Sequence, residues 1–97
     1  MMRLKFQPQA VHDLEGIGDY IAADNSDRAV TFIRELRNLC HRIGQNPLAY
    51  RLRFDIATGV RSAAHGRYVI YFTACSDTVT IIRILHGAMD AAAYLGS

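Results

Sequence analysis

The order of patterned segments predicts an α+β fold. One short strand leads into two helices, three more strands follow, and a small helix comes last, a β-α-α-β-β-β order with a C-terminal helical turn. Two observations carry this. From Gly66 to Gly87 the chain reads GRYVIYFTACSDTVTIIRILHG, two runs of β-branched and aromatic residues around Cys75-Ser76-Asp77, which is the signature of a hairpin. Between Ala29 and Ile43 the apolar residues Ala29, Phe32, Ile33, Leu36, Leu39, Cys40 and Ile43 recur at helical spacing, the mark of an amphipathic helix.

The elements follow in order. Leu4 and Phe6 alternate with Lys5 and Gln7, enough for a short strand. Pro8 opens the first helix, where its missing N–H costs nothing. Val11, Leu14, Ile17 and Ile21, with Ala10 and Gly18, fall on one face of that helix, and Asp13, Glu15 and Asp19 fall elsewhere. Asp24-Asn25-Ser26-Asp27 breaks the pattern, and either Asn25 or Ser26 caps the second helix. Gly44 and Asn46-Pro47 end it. Two amphipathic helices joined by so short a link are antiparallel neighbours. Residues 47–59 read as irregular, with Arg51 and Arg53 exposed. Val60–His65 reads as a strand that turns at Gly66 into the hairpin. Ala88–Leu95 is alanine-rich and suits a last helical turn or two, with Asp90 as its cap.

The hairpin does not alternate cleanly. Tyr68, Ile70 and Phe72 point to one face, Val69 and Tyr71 to the other; in the second run Ile81 and Leu85 are expected to oppose Ile82 and Ile84. A strand apolar on both sides belongs to a sheet covered on both faces. The rest of the chain is expected to supply one cover, and a partner the other.

At 97 residues, 51% hydrophobic and 21% charged, the chain is expected to form one globular domain, residues 1–97. It lacks an apolar run of the roughly 18 residues a membrane span needs, and its start lacks the apolar core of a signal peptide. A cytoplasmic location is expected, with no membrane contact. In a reducing compartment a disulfide between Cys40 and Cys75 is disfavoured; Cys40 reads as core and Cys75 as incidental. No CxxC or HxxxH spacing gathers metal ligands, so neither metal nor cofactor is expected.

Charge is uneven. Residues 28–67 carry eight arginines against Glu35 and Asp55, a surplus of six, whereas residues 1–27 sum to −3. Arginine favours bidentate pairing with carboxylate or phosphate. Part of this charge can pair with the acidic first helix, but the surplus exceeds it, and an acidic or phosphate-bearing partner is expected. The sequence has neither helix-turn-helix spacing nor a continuous basic recognition helix, so direct specific DNA binding is not expected.

Several segments in fixed order resemble the ParE branch of the RelE/ParE toxins of bacterial type II toxin–antitoxin modules. They are Leu14, Ile17 and Tyr20–Asn25; Asn46-Pro47 after the helical stripe; Val60-Arg61-Ser62; Gly66–Tyr71; and Ile82–Ala88 followed by Asp90. The resemblance covers nearly the whole chain. It implies a helical hairpin packed on a twisted antiparallel sheet, and a cognate antitoxin whose acidic C-terminal segment wraps the toxin. It also implies inhibition of DNA gyrase, held with its DNA cleaved. Arg51, Arg53, Arg61, Arg67, Tyr68, Tyr71 and Arg83 are the residues expected to meet antitoxin or target.

The RelE cousins are implied to be ribosome-dependent mRNA endonucleases, in which a ribose 2′-OH attacks the adjacent phosphate. That chemistry needs a base, an acid and cations for the developing charge. Arg61 and Arg83 are the candidates for charge stabilisation and His86, or His65, for proton transfer. Against a nuclease, Lys5 is the only lysine, no glutamate lies beyond Glu35, and Gly87 rather than a tyrosine follows His86. A non-catalytic inhibitor is therefore expected, with the nuclease as the alternative. Each candidate also has a plainer reading: His86 bonded to a backbone carbonyl, Arg83 paired with Asp90 or another carboxylate, and Tyr20, Tyr68 and Tyr71 as core or interface aromatics.

Overall fold

A computed structural model describes residues 2–95. Its elements are β1 (Arg3–Phe6), α1 (Pro8–Ala22), α2 (Ser26–Gln45), β2 (Arg51–Leu52), β3 (Arg61–His65), β4 (Tyr68–Cys75), β5 (Thr78–His86) and α3 (Ala91–Leu95), with a 3-10 turn at Pro47–Ala49. The sheet order is β1-β5-β4-β3-β2. The β2–β3, β3–β4 and β4–β5 pairs are antiparallel. At the other edge β1 runs parallel to β5, with Arg3 opposite Thr78 and Phe6 opposite Ile81. The predicted antiparallel sheet thus acquires one parallel edge, because α1 and α2 carry the chain back over one face before the hairpin is laid down.

Asn25, not Ser26, caps α2: its side chain accepts the Arg28 N–H at 3.0 Å, satisfying one of the donors that a helix start leaves free. The α2 stripe is buried as its spacing requires, save that Ile33 is only partly covered. Gly44 does not end α2, which runs on to Gln45. It is instead a buried position where Leu4 of β1 comes close, 3.9 Å from where a Cβ would stand. On α1 the buried residues are Ala10, Leu14 and Ile17, while Val11 is turned outward. The segment read as irregular contains β2, which pairs Arg51 with Ser62 and Leu52 with Arg61. Arg51 is exposed as expected, but Arg53 is only partly so.

The sheet carries apolar side chains on both faces. Ile70, Phe72, Val79, Ile81 and Ile84 join α1 and α2 in the main core. Tyr71, Leu85, Val69 and Ile82 face the other way, where Val60, Ile56 and Ala57 of the loop before β3 and Ala91 and Leu95 of α3 cover them. The chain itself, and not a partner, supplies this second cover, because the loop before β3 and α3 both fold back over it.

One expectation about the hairpin fails in an informative way. Ile81 shares its face with Ile84, and Ile82 with Leu85. Tyr71 of β4 stands opposite Arg83 while the next residue, Phe72, stands opposite Ile81. Ile82 is therefore an extra residue on β5, a bulge, and it moves every later side chain to the opposite face. The turn between β4 and β5 is Ser76-Asp77, with Ser76 at φ 55°, the left-handed region that tight hairpin turns demand.

Candidate functional site

The bulge decides where Arg83 goes. In unbroken alternation it would share the face of Ile81, under the helices. Instead it pairs with Tyr71 on the far face and its guanidinium reaches α1 at the open side of β5. Arg83 Nε donates to Asp13 Oδ2 at 2.8 Å and Nη2 to Oδ1 at 2.9 Å. Asp13 Oδ2 also accepts the Ile84 N–H at 2.9 Å. β1 is shorter than β5, so this amide faces the sheet edge beyond the last residue of β1, and a helix carboxylate takes the place of a strand. The Arg83 side chain is 16% exposed and that of Asp13 10%. The bond to Asp13 raises the guanidinium pKa further above its ordinary value. Tyr94 of α3 lies over the guanidinium, 5.2 Å from ring centre to Cζ, a cation–π contact. Arg83 thus ties α1, β5 and α3 together, and its carboxylate is Asp13, not Asp90.

Arg61 is likewise engaged. Its Nη1 donates to the Tyr50 carbonyl at 2.6 Å, holding β3 to the segment that leads into β2. Arg53 forms a fork on Asp55, Nε to Oδ1 at 3.1 Å and Nη2 to Oδ2 at 3.0 Å, and its Nη1 donates to Ser62 Oγ at 3.1 Å. This raises the Arg53 pKa and lowers that of Asp55. Tyr71 is 5% exposed and belongs to the second core. Arg51 and Arg67 are exposed, and neither forms an ion pair with a described residue.

His86 accepts the Ala88 N–H on Nδ1 at 3.0 Å. Its partner is a backbone amide rather than the expected carbonyl, so the neutral ring carries its hydrogen on Nε2. Its ring meets that of Tyr68 edge-on at 5.4 Å. Arg83 and His86 border a common shallow hollow with Asp13 and Tyr68. Arg61 does not join them, since it lies four residues along β3 from His65, about 13 Å at strand rise. The three residues named for phosphoryl transfer are not gathered at one point.

The structure gathers a different set. A groove of about 560 Å³ opens where the tip of the helical hairpin meets the β3–β4 turn, bordered by Tyr20, Phe32, Arg67, Tyr68 and His86. Gly66, at φ +59°, makes the turn, and a Cβ there would stand 3.3 Å from Phe32 Cε1, so glycine serves both the left-handed backbone and the close approach. On the groove wall, Arg28 forks onto Glu35, Nη1 to Oε2 at 2.7 Å and Nη2 to Oε1 at 3.3 Å. His65 Nε2 bonds Glu35 Oε1 at 2.8 Å. These bonds hold the Glu35 carboxyl down to about 2, Arg28 contributing most. The sequence pattern missed this trio. Its trace was Arg28, Thr31 and Glu35 along one side of α2, which the apolar stripe alone leaves unread.

Cys40 is fully buried in the core, and burial pushes its thiol up to about 12; Cys75 is exposed, and both are free. Among the described residues, no group of three or more His, Cys, Asp or Glu side chains is placed to hold a metal ion. Among them, too, no helix is long and apolar enough to cross a membrane.

The family described as ParE toxin of type II toxin-antitoxin system, parDE, matches residues 4–91. Toxin ParE1 of Caulobacter vibrioides is 29% identical over 97 residues, 99% of this chain and 100% of that protein. Toxin ParE1 of Mycobacterium tuberculosis is 29% identical over 65 residues, and the match spans 66% of that protein's length. Among solved structures, the chromosomal ParDE TA system from P. aeruginosa superposes with a TM-score of 0.76 at 22% identity, covering 89% of this chain and 96% of that one. The toxin–antitoxin complex RelBE2 from Mycobacterium tuberculosis gives 0.64 at 22% identity, covering 88% and 96%. The two structures agree with the fold described above, and the sequence match over residues 4–91 carries the assignment: the chain belongs to the ParE toxin family of type II toxin–antitoxin systems.

Proposed function

We propose that this toxin acts by binding DNA gyrase without chemistry of its own, holding it with its DNA cleaved, and that an antitoxin with an acidic C-terminal segment neutralises it. One observation carries the non-catalytic reading. Arg83, the cation best placed by sequence to stabilise a phosphorane, is forked onto Asp13. A cation already neutralised by a fixed carboxylate gives little to a developing phosphate charge. Arg61 is held by the Tyr50 carbonyl and stands away from His86. The antitoxin reading draws on the solved relatives, which are described as a ParDE system and a toxin–antitoxin complex. It also draws on exposed Arg51 and Arg67 and on the exposed apolar side chains of Leu48 and Phe54, side chains of the kinds that an acidic segment with apolar residues would meet.

The test is a supercoiling and DNA-cleavage assay with purified gyrase, with and without the toxin. Loss of supercoiling with accumulation of cleaved DNA is the expected result. No effect at several-fold molar excess, together with mRNA cleavage on translating ribosomes that Arg61→Ala, Arg83→Ala and His86→Ala abolish, would replace this reading with the RelE-like nuclease.

A further inference from the structure

The groove between the helical hairpin and the β3–β4 turn combines aromatic rings with Arg67, a composition that the gyrase and antitoxin reading uses only for its charge. Tyr20 is 76% exposed, so its ring is available to an incoming group. Tyr68 lines the same groove and is braced by Phe32, at 5.7 Å, and by His86, at 5.4 Å between ring centres. Arg67 borders the groove at the turn end and forms no ion pair with a described residue. Arg28 also lines it, but Glu35 cancels its charge. No carboxylate is part of the wall among the described residues; Asp24 lies in the adjoining hollow beyond Tyr20 and Ile21. The groove therefore has a polarity, cationic at Arg67 and anionic past Tyr20. His86, whose Nδ1 accepts the Ala88 N–H, borders both this groove and the hollow beside Asp13.

We propose that this groove is a nucleotide-unit subsite, taking a base against Tyr20 and Tyr68 and the adjoining phosphate at Arg67. An exposed ring such as Tyr20 and a half-buried one such as Tyr68, with an arginine in the same groove free of ion pairs among the described residues, are the ordinary means of holding an unstacked base and its phosphate. A flat ring suits a wall with two aromatic rings better than an aliphatic side chain does. The volume, about 560 Å³, falls in the range of roughly 300–1,000 Å³ typical of small-ligand sites. The same unit can arrive as a free nucleotide or as part of a single strand.

Fluorescence anisotropy of a short labelled oligodeoxyadenylate with the full chain tests this. Binding is expected, with Tyr20→Ala and Arg67→Ala each weakening it about tenfold, and with Arg67→Ala alone lowering the salt slope by about one. Both side chains are exposed, so the variants keep the fold, which circular dichroism verifies. Arg37→Ala and Arg42→Ala, on α2 away from the groove, are expected to change affinity less than twofold. Displacement by adenosine monophosphate but not by inorganic phosphate identifies the free nucleotide as sufficient; Tyr20-dependent binding without that displacement identifies the strand as the source. Equal losses for all four variants would reduce the effect to general positive charge and overturn the proposal. Displacement by phosphate as readily as by the nucleotide would remove the base from it. An oligonucleotide that fails to bind, while an acidic aromatic peptide binds in a Tyr20-dependent way, would give the groove to a protein partner instead.

Discussion

Asp13 meets three donors with one carboxylate: two guanidinium nitrogens of Arg83 and the Ile84 amide. Removing its charge leaves a mostly buried arginine poorly matched, and such losses cost about 2–4 kcal/mol. Asp13→Asn is expected to lower the urea midpoint accordingly, and an unchanged midpoint would show the pair to be incidental. This role was not legible in the sequence. The pattern placed Asp13 off the apolar stripe of α1 and left Arg83 in need of a carboxylate, but the partners are 70 residues apart and only the bulge turns Arg83 to that edge. Glu35 offers a second test. Its pKa falls from 4.5 to about 2 in the folded protein, so the stability it contributes is present above about pH 4.5 and is lost as pH falls toward 2. Glu35→Gln is expected to flatten the stability-versus-pH curve in that acid window. A wild-type curve already flat between those values would remove the Arg28–Glu35–His65 trio as a stabilising feature.

Among the elements, α2 was the most legible, because a periodic stripe bounded by a cap and Asn46-Pro47 leaves little choice of structure. β5 was the least, although its composition is strongly that of a strand. Composition identifies a strand, whereas the face of each residue depends on pairing, and the extra residue at Ile82 carries no glycine or proline to announce it. β2 was missed for a related reason: two residues of edge strand leave no periodicity to detect. The helices invite two opposite substitutions. Gly16 lies within α1 with no atom within 4 Å of where a Cβ would be, so Gly16→Ala is expected to stabilise by about 0.5–1 kcal/mol through helix propensity. Asn25→Ala removes the cap of α2 and is expected to cost about 1 kcal/mol. Thermal melting of both resolves the signs, and a Gly16→Ala variant that melts lower would point to a contact that requires the bare backbone.

At the scale of the whole molecule, the apolar character of both faces of the hairpin was legible, but what covers the second face was not. The loop over residues 53–60 shows no pattern, and α3 is too short to advertise a buried side. A chain truncated after Asp90 is expected to expose Val69, Tyr71 and Leu85, giving stronger binding of an apolar dye and a lower urea midpoint. Unchanged dye binding would mean that the loop alone covers the face. The candidate residues could be named from the sequence but not their surroundings: Arg53 and Arg83 are forked onto carboxylates, Arg61 donates to a backbone carbonyl, and Arg51 and Arg67 form no ion pair with a described residue. The parallel edge carries a further meaning for the living cell. Arg3 pairs with Thr78, so β1 cannot be seated until a segment about 75 residues later has left the ribosome. At about 5–20 residues per second, that delay is roughly 4–15 s. During it the helical hairpin exists without the sheet it packs on.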